Sequence, residues 1–116
     1  MDEMSAALGL AQLEKLDYMI GQRRKISDLY SKYLSNYAEI IEVPKVAQNN
    51  VHTWFVYVIR VKNPKIKRDD IISELAATGI STKPYLPSIH LFDFYKKRFK
   101  YKKDDFPVSE MVSNTS

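Results

Sequence analysis

The sequence predicts an α/β (α+β) chain: a long N-terminal helix, then a small mixed or antiparallel sheet with helices on one side. Three observations lead to that class. Apolar residues in the first third recur mostly at three- and four-residue steps, the period of one helix face (Leu13, Leu16, Ile20, Ile26, Tyr30, Tyr33, Tyr37). Residues 51–61 place Val51, Thr53, Phe55, Tyr57, Ile59 and Val61 on one face and His52, Trp54, Val56, Val58 and Arg60 on the other. With apolar residues on both faces, that run fits a strand covered on each side. A short amphipathic run and a second extended run follow, giving strand, helix, strand with a brief return. The expected division is residues 1–38 for the long helix and 39–116 for the small α/β domain.

The helix has a small-residue start, Ala6, Ala7, Leu8, Gly9 and Ala11, where another backbone could approach closely, and no proline before Pro44. Gly21 is its expected weak point, at about 1 kcal/mol relative to Ala. Unbroken from residue 3 to 36, it would be roughly 50 Å long, against about 35 Å across for a compact domain of the whole chain. Its apolar stripe therefore needs cover from another domain or subunit. After the strand, Asn63-Pro64 terminates pairing, Arg68-Asp69-Asp70 puts acids in the first turn of a short helix, and Gly79 is its expected stop. Residues 80–85 read as the second strand, closed by Pro84 and Pro87. Residues 108–116 begin a last helix.

Composition excludes several kinds of chemistry. There is no cysteine, so disulfide frameworks, thiolate nucleophiles and Cys-ligated zinc all fall away; the lack suits a reducing cytoplasm. The acidic start Met1-Asp2-Glu3-Met4 is not the basic opening of a signal peptide, and no apolar run approaches the ~20 residues of a membrane span. A cytoplasmic, non-membrane protein is the expectation. The three glycines lie far apart, so there is no Gly-rich phosphate loop, and the two histidines show no metal-ligand spacing. His52, on the expected strand, reads as a packed or hydrogen-bonded histidine.

The net charge of +4 is local. Six of the 18 basic residues fall between Lys96 and Lys103 without an acid among them, which leaves 12 basic against 14 acidic groups elsewhere. With Phe94, Tyr95, Phe99 and Tyr101 interleaved, residues 94–103 also admit a stand-alone regulatory or nucleic-acid-binding module. The bland alternative is a solvated surface segment whose aromatics turn inward. Residues 85–90, Tyr85-Leu86-Pro87-Ser88-Ile89-His90, form a proline-stiffened turn at a strand end, where binding groups often sit. Spacing alone leaves His90 open between a binding and a packing role.

Four blocks of this sequence resemble the DegT/DnrJ/StrS family of pyridoxal-phosphate-dependent nucleotide-sugar aminotransferases. Residues 1–13, MDEMSAALGLAQL, resemble its Met-x-(Asp/Glu)-x-x-Ala-Ala-x-Gly-x-x-Gln-Leu stretch. His52 with Tyr57-Val58-Ile59-Arg60-Val61 continues in register. Gly79-Ile80-Ser81-Thr82-Lys83-Pro84-Tyr85 through Ile89-His90-Leu91 is similar to the Gly-Ile-x-Thr-Arg-Pro-(Phe/Tyr)…Leu-His segment of its perosamine-synthetase-like branch. Phe106-Pro107-Val108-Ser109-Glu110 resembles Phe-Pro-Val-Ala-Glu.

The resemblance implies the small C-terminal domain of a fold-type I enzyme, continued on both sides in family members, with an N-terminal cofactor domain and a homodimer partner to cover the long helix. It implies pyridoxal phosphate in the full-length enzyme and none bound by this portion, because the Schiff-base lysine, the acid for the pyridine nitrogen and the phosphate cradle lie upstream in the family. The implied substrates are a nucleotide-linked keto-sugar and glutamate. Residues 82–90 would border the substrate cleft, with Lys83, Tyr85 and His90 at its edge and no catalytic residue in the chain itself. Where the family has arginine this sequence has Lys83, a point charge that cannot form a bidentate fork on a carboxylate.

Overall fold

The computed structural model describes all residues, Met1–Ser116, and divides into two compact units. The first comprises Met1–Asn36 and Pro44–Tyr57, the second Tyr37–Val43 and Val58–Ser116. No helix is long and apolar enough to cross a membrane.

In the first unit, α1 spans Glu3–Leu13 and α2 Leu16–Leu34. Asp2 caps α1: its carboxylate accepts the Ser5 N–H at 2.8 Å and the Ser5 hydroxyl at 2.8 Å, satisfying a donor that the first helical turn leaves free. Those bonds, the Ser5 N–H first, hold the Asp2 carboxyl below its ordinary value. The expected unbroken helix is interrupted at Glu14-Lys15, where the Lys15 N–H bonds to the Gln12 carbonyl, three residues back; that tightened turn separates the two segments. Gly21, the expected weak point, stays inside α2. The apolar residues of α1 are uncovered, with Met4, Leu8, Leu10 and Leu13 between 63% and 85% exposed.

Of the strand expected over residues 51–61 only Arg60–Val61 forms; residues 51–59 do not pair. Trp54 takes a left-handed φ of 53°, and its N–H is donated to His52 Nδ1 at 2.9 Å. A ladder cannot run through a residue turned that way with its donor engaged locally. The side chains cluster instead. His52 packs on Trp54 with ring centroids 4.4 Å apart, Trp54 stacks on Tyr57 at 5.6 Å, and Tyr57 meets Tyr30 of α2 at 5.2 Å. The Tyr57 and Ser31 hydroxyls are 2.9 Å apart. His52 is exposed, accepts the Trp54 N–H within its own turn and packs on Trp54, off the strand on which it was expected.

The second unit holds the sheet, two short antiparallel strands, β1 (Ile41–Glu42) and β2 (Arg60–Val61). The register sets Ile41 opposite Val61, the two apolar side chains that are buried, and Glu42 opposite Arg60, with which it forms an ion pair. Opposite charges directly across a pair of strands reinforce that register. The Lys62 amide extends the pairing to the Ile40 carbonyl at 2.7 Å.

Helix α3 (Arg68–Ala77) has Asp69 and Asp70 in its first turn, as expected. It ends in a Schellman motif: the Gly79 N–H reaches the Ala76 carbonyl at 3.0 Å and the Ile80 N–H the Leu75 carbonyl at 2.9 Å. Gly79 supplies the required φ of 85°. The expected strand over residues 80–85 is absent. Beyond Ile80 no backbone group through residue 87 joins another backbone segment, and Pro84 and Pro87 have no N–H to offer a ladder. A 3₁₀ turn (Ile89–Leu91), α4 (Asp93–Phe99) and α5 (Pro107–Thr115) complete the unit. Pro107 occupies the start of α5, where a missing N–H costs nothing. Arg68 reaches the other end, donating to the Ser113 carbonyl at 2.7 Å.

Two glycine substitutions should act in opposite directions on the urea-unfolding midpoint. Gly79→Ala, with open space for a methyl group but a positive φ, should destabilise by about 1 kcal/mol or more. Gly21→Ala, in a helix interior with equally open surroundings, should stabilise by up to about 1 kcal/mol. A Gly79→Ala protein as stable as its parent would contradict the Schellman stop.

Candidate functional site

The second unit contains an open cleft of ≈ 810 Å³ between residues 85–92, the aromatic face of α4 and the turn leading into α5. Its walls are apolar and aromatic: Leu86, Phe92, Tyr95, Phe99, Tyr101 and Phe106 contribute, with Tyr85, Ser88, His90 and Ser109 supplying polar atoms. The aromatics of the basic run are engaged with one another, Tyr95 with Phe99 at 6.2 Å and Phe99 with Tyr101 at 5.6 Å. Arg98 lies over the Phe99 ring at 5.5 Å. The residues that alternate with lysines in sequence therefore form one wall of the cleft, because α4 gathers Tyr95 and Phe99, four apart, onto one face.

The floor is a buried polar contact. His90 and Glu110 are 8% and 6% exposed, and His90 Nε2 lies 2.9 Å from Glu110 Oε1. An ionised carboxylate only accepts, so Nε2 carries the proton and donates. The same Glu110 oxygen accepts the Asp104 N–H at 2.8 Å, and Asp104 holds a left-handed φ of 74°. Burial pushes the Glu110 carboxyl up, but the bonds from His90 and the Asp104 N–H and the attraction to His90 outweigh it and hold it below the ordinary glutamate value. The His90 ring packs on Phe106 at 4.8 Å and edge-on to Tyr101 at 6.4 Å. Beside it, the buried Ser88 donates its hydroxyl to the Ser109 carbonyl at 3.2 Å.

Of the three cleft-edge residues singled out from the sequence, Tyr85 and His90 line this cleft. Tyr85 is 48% exposed, whereas His90 is enclosed. Lys83 is exposed and outside the lining. Sequence reasoning passed over Glu110 and Ser109 as site residues, although both lie in the quoted Phe106–Glu110 block. An acid in the first turn of a predicted helix reads as dipole compensation, and nothing local shows that it faces a histidine 20 residues earlier.

The chain belongs to the DegT/DnrJ/EryC1/StrS aminotransferase family, whose profile matches residues 1–116. It is 34% identical over 110 residues to the spore coat polysaccharide biosynthesis protein SpsC of Bacillus subtilis, covering 92% of this chain and 28% of that protein. To the GDP-perosamine synthase of Escherichia coli it is 32% identical over 110 residues, covering 95% of this chain and 28% of the synthase. An uncharacterized protein of Methanocaldococcus jannaschii is 34% identical over 114 residues, 97% of this chain and 29% of its own length. The chain thus spans less than a third of the curated relatives it matches.

Pyridoxal phosphate requires a lysine amine for its aldehyde and an acid beside its pyridine nitrogen. No lysine or arginine lines the cleft, and the buried acid beside it, Glu110, is committed to His90 and the Asp104 N–H. These residues do not fit the cofactor.

The lowered Glu110 carboxyl has a consequence for stability. Its contribution is present above the unfolded glutamate pKa and is lost as pH falls through the lower folded value. Glu110→Gln should be less stable than the parent near neutral pH, and the gap should close in acid. Urea midpoints at a series of pH values measure this; a gap independent of pH would show that the Glu110 charge contributes nothing.

Proposed function

We propose that this chain is the C-terminal small-domain portion of a pyridoxal-phosphate-dependent nucleotide-sugar aminotransferase. The complete enzyme exchanges the carbonyl oxygen of a nucleotide-linked keto-sugar for an amino group, with glutamate as donor leaving as 2-oxoglutarate. The observation that carries this reading is a family match over every residue of a chain that spans less than a third of its relatives, one of them named a GDP-perosamine synthase. On this reading the cofactor and its lysine belong to an N-terminal domain, and the present residues alone do not transaminate. The uncovered apolar residues of α1 support a partner there, either that domain or the second subunit of a homodimer. Lys83, Tyr85 and His90 are the proposed substrate-cleft edge, with residues 1–38 as the connecting helix and 39–116 as the small domain.

Immunoblotting of source cells with antibody to this chain should give a band several times its own 13.5 kDa. That product, purified, should release more than one equivalent of 2-oxoglutarate per active site from glutamate only when a nucleotide-linked keto-sugar is present to take the amino group, and the 116-residue chain should not. A sole band at 13.5 kDa, with DNA affinity that falls steeply as salt rises, would replace this reading with the nucleic-acid one. In the active product, Lys83→Ala should raise KM for one of the two substrates severalfold with kcat little changed, since an exposed cation contributes through ground-state attraction. Unchanged constants would remove Lys83 from the cleft edge.

A further inference from the structure

We infer that His90 and Glu110 act together as a positioning pair for the cleft edge, and that His90 does not itself meet the substrate. The inference rests on the reading of this cleft as the substrate edge, and the geometry behind it is local. Residues 81–87 have no backbone ladder to hold them, yet Tyr85 projects into the cleft from the middle of that stretch. Such a segment must be fixed at its ends. On its N-terminal side is the Schellman stop at Gly79. On its C-terminal side the first tertiary anchors are Ser88, bonded to the Ser109 carbonyl, and His90, bonded to Glu110. Both anchors land on the first turns of α5, and the Glu110 oxygen that receives His90 also receives the Asp104 N–H. One carboxylate thus ties the end of the loop, the turn before α5 and α5 itself into a single unit.

The division of exposure within the loop points the same way. Tyr85, Leu86 and Ile89 are exposed, at 48%, 61% and 58%, while Ser88 and His90 are buried. The residues bonded to α5, Ser88 and His90, are enclosed even where they line the cleft, and the others on the loop are open. With its Nε2–H engaged by Glu110 and its ring packed between Phe106 and Tyr101, His90 resembles the fixed end of a hinge. A displacement of about 1 Å at a binding edge is enough to weaken productive binding substantially.

The test uses the polypeptide at the length it has in its source cell, in four forms: parent, His90→Ala, Glu110→Ala and the double variant. If the pair positions the edge, each single variant should raise KM for the keto-sugar by roughly tenfold with a smaller change in kcat. The double variant should be no worse than either single one, because both remove the same link. Glu110→Gln, whose carbonyl oxygen can still accept both N–H groups, should recover most of the lost KM. A purely structural role would lower the yield of folded protein but leave KM of the folded fraction unchanged. Direct substrate contact by His90 would appear as additive losses and no parallel between the His90 and Glu110 variants; either result overturns the inference.

Hydrogen exchange at the amides of Leu91 and Phe92, which bond to the Ser88 and Ile89 carbonyls at 3.0 and 3.1 Å, supplies a readout independent of activity. It should accelerate in Glu110→Ala and return towards the parent rate in Glu110→Gln. Unaltered exchange in Glu110→Ala would overturn the positioning pair even in an active enzyme. Accelerated exchange in a protein without aminotransferase activity would instead leave the pair standing and sink the proposed function.

Discussion

The arrangement of residues 88–116 depends on one buried hydrogen bond, His90 Nε2 to Glu110 Oε1. Elsewhere in this unit apolar burial is slight; Ile41 and Val61, facing each other across β1 and β2, are the buried apolar side chains. A charged acceptor enclosed beside aromatic rings behaves differently from such a pair. Its partners must be present in the right geometry, because an unpaired buried carboxylate is far costlier than a loosely packed valine. Here they are: one side-chain N–H and one backbone N–H on the same oxygen. The contact therefore specifies where the 3₁₀ turn, the Asp104 turn and α5 stand relative to each other, which apolar contacts of variable geometry would leave looser.

That specification explains how the cleft exists on so small a scaffold. The aromatic wall is built by helical spacing in α4 and by Tyr101 and Phe106 on the chain that returns to α5. The opposite edge is an extended segment with two prolines and no ladder. Such a segment is ordered by its ends, and the ends are a glycine-terminated helix on one side and the histidine on the other. The local stiffness of proline reduces the number of conformations the ends must select among.

The first unit shows the converse situation. Its helices satisfy their own backbone groups, through the Asp2 cap and the ordinary helical ladder, yet their apolar side chains remain in solvent. Helical pattern and helical burial are separate matters. The pattern follows from residue spacing, while burial needs a surface to pack on. Here a cluster of aromatic rings around Tyr57 covers part of α2, and α1 is left bare.

Much of this protein was legible in its sequence. The helical first third, α3 with its acids and its Gly79 stop, the helix beginning at Pro107, and the family itself all rest on local spacing and short motifs, which each segment carries independently. Other features were not legible. The break at Glu14-Lys15 carries no glycine or proline to announce it. The strands expected at 51–61, of which only Arg60–Val61 forms, and at 80–85 have β-like patterns, but a strand exists only where a neighbour completes its hydrogen bonds, and that is a property of the assembled chain. Glu110, finally, looked like an ordinary helix-start acid. The sequence by itself determined the helical first third, α3, the last helix and the family, because helical hydrogen bonds close within a few residues; α4 was hidden in the basic run. The tertiary structure alone decided the short sheet, the cleft and the enclosure of His90, because each joins residues some 20 positions apart.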